Sequence, residues 1–503
     1  MFNLAVILRE SAQAAPAKPA IRHPGGAITY AELDELSDSV AEGLATLGVR
    51  PGQAVGLQLP NIPQFVVSYF GILKVGAVVV PLSPLLKARE VAYSLRGSDA
   101  RALITYEAAA KEAALGAEDA GVKDVFVVGA PARDTRPFTE LPVPVTGRRP
   151  LAAREGSDTA AIVFTSGTTG LPKGAELTHF QLYMNADIPG RLFDVRPEDV
   201  VLTILPLFHV FGLSSILDVC VRFGCTLSLV PRFDAEAALT AIERDRATIF
   251  EGVPTMFVAL LEHPGLDAFD LSSLRVAISG GAPIPAHVMD AFERRFGVLI
   301  LEGYGLTETA ATTTFNVSAE ERRAYSVGKP IWGTETQIWD EHGNRLPPGR
   351  EHIGELVTRG FHVMKGYYRR PEATAEVMTG GWLHTGDLGY EDDDGFFFIV
   401  DRKKELIIRG GYNVYPREVE EVLYTHPAVA EAAVIGVPDA RLGEEVVAFV
   451  TLHPDASATP EELTAFCRDR MASYKYPRSV EVRGTLPKLP NGKIAKLELK
   501  PSR

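Results

Sequence analysis

Between Phe164 and His179 the chain reads FTSGTTGLPKGAELTH. Thr165, Ser166, Thr168 and Thr169 surround Gly167 and Gly170, and a single lysine, Lys173, follows just after a proline. A short apolar run, Ala160 to Phe164, leads into the segment, so it lies where a strand gives way to a loop. Glycines let backbone N–H groups turn inward and the hydroxyls add further donors, a combination that suits phosphate oxygens. Lys173 would place a compact charge beside the same anion. The spacing is not that of the P-loop, in which lysine follows the second glycine directly, because Leu171 and Pro172 intervene. No GxGxxG dinucleotide fingerprint occurs here either. Taken alone, the segment also reads as a polar surface turn.

Something must hold such a loop. At 503 residues the chain exceeds one core, and two or three domains are expected. Hydrophobic residues at 46% and charged residues at 23% are those of an ordinary globular protein. The formal net charge of −13, from 51 Lys+Arg against 64 Asp+Glu, disfavours nucleic acid or an anionic membrane as partner, so an anionic ligand has to be held by local positive groups. Cys220, Cys225 and Cys467 lack metal-site spacing and read as buried, reduced thiols. The N-terminal MFNLAVILRESAQ has no basic segment before its apolar patch, and Lys74 and Pro81 interrupt the longest apolar run, so neither a signal peptide nor a transmembrane segment is expected. A cytoplasmic enzyme is the simplest expectation.

The first part of the chain alternates helical patterns, such as Thr29 to Leu47, with short apolar runs that end in Gly, Ser, Thr or Pro: AVGLQLP, ARALITY, VVLTILPL, ATIFEGVP, LRVAISGG, VLILEGYG. That alternation predicts an α/β fold with parallel-rich sheets covered by helices, with ligands gathered at the carboxyl ends of the strands. Past about residue 330, turn-rich segments predict β-hairpins and hence a β-rich subdomain. From about residue 401 a small α+β unit follows, with helices near Pro416 to His426 and from Thr459-Pro460. The expected division is therefore 1–400 and 401–503.

TSGTTGLPKG resembles the signature phosphate loop of the adenylate-forming superfamily, which includes acyl-CoA synthetases, coumarate–CoA ligases, luciferases and peptide-synthetase adenylation domains. Further motifs recur in order: LPLFHVFG at 205–212, SGGAP at 279–283, GYGLTET at 303–309, HTGDLG at 384–389, DRKKELIIRGGYNVYPREVE at 401–420 and LPNGKI at 489–494. The resemblance implies an AMP-forming ligase that uses ATP, Mg²⁺ and coenzyme A, with a small mobile C-terminal domain. It implies that Thr165, Ser166, Gly167, Thr168, Thr169, Gly170 and Lys173 hold phosphates. Gly281, Ala282, Tyr304 and Gly305 would bind adenine, and Thr307 the α-phosphate. Asp387 would hold the ribose hydroxyls and Arg402 the ribose or phosphates, while Glu308 and Thr165 would serve Mg²⁺.

Lys493 is the implied catalytic cation and His209 a positioning or gating residue beside the acyl site. Lys404 is the implied hinge, and Gly410 and Gly411 the implied wall of the CoA tunnel. Acyl-pocket candidates are Val210, Phe211, Gly212, Met256 and Gly303, within stretches that are mostly apolar or small and suit an aliphatic chain. A medium- or long-chain fatty acid is the first expectation and an aryl acid the second. A carrier-protein phosphopantetheine is an alternative thiol acceptor, but the segment from Gly354 to Asp401 shows none of the insertion typical of ligases that feed carrier proteins. A non-catalytic nucleotide-binding scaffold is the reading from another class, and a homodimer is an option the sequence leaves open.

Overall fold

The computed structural model describes residues 2–165, 172–316, 318, 320–439, 441–454, 456–489 and 492–501. Two large sheets carry the first part of the chain. One has nine strands, in the order Lys329–Pro330, Thr314–Phe315, Ile300–Tyr304, Val276–Ser279, Ile249–Gly252, Val200–Thr203, Thr226–Leu229, Pro19–His23, Gly26–Thr29. The six strands from Ile300–Tyr304 to Pro19–His23 are parallel to one another. The other has seven strands, in the order Arg136–Pro137, Asp124–Val128, Ala100–Tyr106, Ala54–Gln58, Val78–Pro81, Thr159–Thr165, Lys173–Thr178, parallel except for its last pair. The apolar runs are continuous because helices cover both faces of such sheets, leaving no solvent face to demand alternation.

Packing and capping explain the individual helices. Thr29 caps the helix Tyr30–Thr46 in a box with Glu32, and Thr459 caps Pro460–Arg468 with Glu462. Phe250, Phe257 and Phe292 form an aromatic cluster, with Phe257 4.8 Å from each of the others, which glues the helices Pro254–Leu261 and Ala286–Phe296 to the nine-stranded sheet.

The expected hairpins form. Thr334–Trp339 pairs with Gly354–Gly360, and Trp382–Glu391 with Phe397–Arg402, in a five-stranded sheet. A further five-stranded sheet belongs to the C-terminal segment and contains Val429–Asp439 and Gly443–Leu452. Its small hairpin, Ile407–Arg409 with Tyr412–Val414, turns on Gly410 and Gly411 at φ +58° and +83°, a two-residue turn that needs positive φ at both positions.

A cluster of opposite charges lies inside the large unit. Lys74, fully buried at the end of the helix Pro63–Lys74, donates to Asp34 at 2.5 Å and Asp38 at 2.7 Å on the neighbouring helix. Removing a single partner from such a buried set strands the remaining charges. Lys74→Met is expected to destabilise the large unit by about 3–5 kcal/mol, read as a lower urea midpoint.

Candidate active site

The site is built where the strands end. In the seven-stranded sheet, Thr165 closes its strand directly opposite Lys173 in antiparallel register, so the segment between them is the connection of a hairpin. Ser166, Gly167, Thr168, Thr169 and Gly170 lie outside the described residues. Lys173 is half-buried, 3.6 Å from Glu376, and its ammonium stands 5.1 Å over the ring of Tyr367. The Tyr367 hydroxyl in turn donates to Glu308 at 2.7 Å. Tyr367 thus ties the expected phosphate-loop lysine to the expected metal carboxylate. Nothing in the motif spacing singles it out, because the bond depends on a contact between residues 59 positions apart.

In the nine-stranded sheet, Val276–Ser279 leads into Gly280 and Gly281, and Ile300–Tyr304 into Gly305 and Thr307. A methyl group on Gly305 would stand 1.4 Å from the Ala311 carbonyl oxygen, so only glycine fits there. That loop also holds Ala310 and Ala311 at φ +55° and +110°, strain that the surrounding hydrogen bonds must offset. Among these bonds, the Thr309 hydroxyl accepts from the Leu306 N–H at 2.9 Å.

The hairpin Trp382–Glu391 with Phe397–Arg402 sets Asp387 opposite Arg402 in register. The Tyr304 hydroxyl donates to the Asp387 carboxylate at 2.6 Å, and the Arg402 guanidinium stands 3.3 Å from its other oxygen. Asp387 is buried, and burial raises its pKa against the opposing pull of Arg402 and Tyr304. A neighbourhood of this kind offers an acceptor pair to two vicinal hydroxyls and an aromatic face beside it.

Lys493 reaches this place from the C-terminal segment. Leu489 N–H donates to the Lys493 carbonyl at 2.7 Å and Gly492 N–H to the Leu489 carbonyl at 2.8 Å, closing a tight loop with Gly492 at φ +86°. Thr255, on the helix after strand Ile249–Gly252, donates to the Gly492 carbonyl at 3.2 Å. A methyl on Gly281 would touch the Lys493 side chain at 3.3 Å, which puts the lysine over the SGGAP turn. Burial, then the Arg402 charge, lower the Lys493 pKa to about 8 against the pull of Asp387 and Glu405.

His209 is half-buried, and its Nδ1 accepts from the Phe211 N–H at 3.3 Å. Burial and the nearby Lys493 charge lower its pKa to about 4, so it is a neutral ring with its proton on Nε2, a donor rather than a base. Phe211 starts a π-helical stretch, Phe211–Asp218, and its ring lies against Gly280, where a methyl would come within 3.1 Å. Val210 and Met256 are buried. A methyl on Gly212 would strike the Pro206 carbonyl at 2.4 Å, and one on Gly303 the Phe315 ring at 2.7 Å.

Ala282 follows Gly281 in the same turn. Gly410 and Gly411 are exposed at their hairpin tip, and Lys404 is exposed in the turn just after strand Phe397–Arg402.

Among the described residues no cluster of three or more His, Cys, Asp or Glu could hold a metal alone. One half-buried carboxylate, Glu308, fits Mg²⁺, which takes one or two protein carboxylates and completes its octahedron with phosphate oxygens and water.

The AMP-binding enzyme profile matches residues 8–368, and the AMP-binding enzyme C-terminal domain profile matches 418–493. A long-chain-fatty-acid–CoA ligase of Bacillus subtilis is 38% identical across 99% of this chain and 94% of its own length. A feruloyl-CoA synthase of Amycolatopsis is 40% identical across 97% and 96%. The crystal structure of an anthranilate CoA ligase in complex with anthranoyl-AMP superposes with a TM-score of 0.93 at 31% identity, covering 99% of this chain and 96% of the other. The chain belongs to the AMP-binding enzymes, the adenylate-forming acyl-CoA synthetase superfamily.

The lowered Lys493 pKa can be read directly. In competitive acylation across pH followed by mass spectrometry, Lys493 should titrate near pH 8 in the ligand-free protein, well below an ordinary lysine at about 10.4. A value at the ordinary position would contradict the pose in which Lys493 lies over the Gly281 turn.

Proposed function

We propose that this protein activates a medium- or long-chain fatty acid with ATP and passes the acyl group to coenzyme A. The coarser statement, an AMP-forming acyl-CoA ligase that works with ATP, Mg²⁺ and CoA, rests on the family and on the CoA ligases among its relatives. The observation that carries the reading is the approach of Lys493 to Gly281, Asp387 and Arg402, a cation from the last segment of the chain brought to the strand ends of the first.

In the first half-reaction a substrate carboxylate oxygen attacks the α-phosphorus of ATP. A new oxygen–phosphorus bond forms, the bond to the β-phosphate breaks, and pyrophosphate leaves with the electron pair. Lys493 would face the charge that builds during this step, where a fixed cation in a dry site counts most. Asp387 would hold the ribose hydroxyls, the Tyr304 ring the adenine, and the loop from Thr165 to Lys173 the β- and γ-phosphates. Bound through Glu308, Mg²⁺ supplies neutralisation of phosphate charge.

His209 would orient the carboxylate through its Nε2–H and needs to take no proton, because the acid is already ionised. In the second half-reaction the CoA thiol sulfur attacks the acyl carbon, AMP leaves with the bond's electron pair, and the thiol proton is lost. We place the pivot between the two at Lys404 and the division of the chain at 400/401, so that the Gly410–Gly411 turn approaches the site for the second step.

The fatty-acid assignment is supported by the buried, apolar Val210 and Met256. An aryl acid is the second reading. Glu251, in the stretch 251–256, is buried, has an Oε2 without a hydrogen-bond partner, and has its pKa pushed up by burial, as a wall meeting a polar substituent would be.

Three free, buried cysteines fit a cytoplasmic setting, and no helix among the described residues is long and apolar enough to cross a membrane.

Acid-dependent ATP–pyrophosphate exchange over fatty and aryl acids, with thioester products weighed by mass, tests the reading. Exchange with no acid in the panel would overturn the enzyme assignment, whereas AMP release without acyl-CoA would redirect the acceptor to a carrier protein. Lys493→Ala should lower adenylation by about 10²–10³-fold while leaving thioester formation from supplied acyl-AMP close to wild type. Equal loss in both half-reactions would contradict the two-pose mechanism.

A further inference from the structure

The C-terminal segment is fastened to the preceding hairpin at a point away from Lys493. Asp401, buried near the end of strand Phe397–Arg402, accepts from the Arg417 N–H at 2.9 Å, in the first turn of the helix Pro416–Tyr424. The Arg417 guanidinium reaches back to donate to the Ile399 carbonyl on the same strand. Strand and helix belong to opposite sides of the exposed turn at Lys403–Glu405. The two hydrogen bonds therefore span the pivot proposed above and hold only while the helix stays docked on the strand.

We propose that Arg417 is the positioning residue of a latch, with Asp401 and the Ile399 carbonyl as its receptors, that holds the C-terminal unit in the pose that presents Lys493 to the nucleotide. Arg417 touches no reacting atom. It acts through the docking of the helix Pro416–Tyr424, and any rotation at Lys404 that takes Lys493 out must break its bonds to the strand. A latch of this kind speeds one half-reaction and leaves the other untouched, which a purely structural arginine would not do. The proposal rests on the ligase reading and on its two poses.

The half-reactions measured separately test it. In Arg417→Ala, acid-dependent ATP–pyrophosphate exchange should fall by about tenfold, the worth of one charged hydrogen bond. Thioester formation from supplied acyl-AMP and CoA should stay at the wild-type rate or rise. Glu421, which pairs with Arg417 at 3.1 Å on the solvent side of the same helix, is the control, and Glu421→Ala should leave both rates unchanged. Asp401→Asn weakens the same latch from the strand side without touching the arginine, and should shift the balance in the same direction; it decides the matter if Arg417→Ala fails to fold. Equal loss of both half-reactions, no change in either, or loss of the second alone would overturn the latch. If wild-type protein itself shows no exchange with any acid, the ligase reading has failed instead.

Discussion

Everything at the site turns on one expensive placement, a half-buried ammonium group in the field of a guanidinium. Lys493 gives up hydration and sits in the field of Arg402, and both effects push its proton off. Asp387 and Glu405 recover part of that cost, and an incoming polyphosphate would recover far more, because its charge favours the protonated lysine. The closed arrangement is therefore poised: adequate without nucleotide and strongly favoured with it. A cation of this sort loses force once pyrophosphate has left, and the pose it stabilises becomes easier to abandon. Electrostatics would thus supply a reason for the two poses proposed above, docking before the first chemical step and release after it.

The rest of the architecture makes the placement possible. Parallel strands deliver their carboxyl ends to one region, and the loops there are forced into conformations that few side chains tolerate. Gly305 lies so close to the Ala311 carbonyl that a methyl cannot enter, and the neighbouring alanines adopt left-handed backbone angles. The adjoining hairpin needs no such strain, because register alone sets Asp387 opposite Arg402. Rigid sheets thus carry the carboxylate and the guanidinium, while the lysine arrives on a loop closed by its own backbone bonds.

Much of this was legible in the sequence for reasons that are local. Apolar runs ending in glycine marked the buried strands, Thr29 and Thr459 marked helix starts, and turn-rich segments past residue 330 marked the hairpins. Gly281, Tyr304, Asp387, Arg402 and Lys493 were named from motifs, and the fold brings the lysine to the glycine and links the tyrosine, the aspartate and the arginine. What the sequence did not reveal are pairings across long separations: Tyr367 with Glu308 and Lys173, Thr255 with the Gly492 carbonyl, and Arg417 with the strand Phe397–Arg402. Each depends on how separately recognisable pieces dock, and no periodicity or cap encodes that. The buried acids behave alike. Glu251 and Asp218 sit in apolar stretches where composition suggests plain core, yet each has a carboxylate oxygen without a partner and a pKa raised by burial.

His209 shows how structure narrows a role that sequence leaves broad. A histidine next to an expected carboxylate site invites a general-base assignment. Its Nδ1, however, is already taken by the Phe211 N–H, and its low pKa keeps the ring neutral in ordinary conditions. The free edge is then an N–H, which can hold a carboxylate oxygen but cannot remove a proton. None has to be removed, since a carboxylic acid is ionised well below neutral pH. In the first half-reaction proposed above, the proton that would matter is the one on Lys493, so its pH dependence should be governed from the alkaline side, by a group of the C-terminal segment.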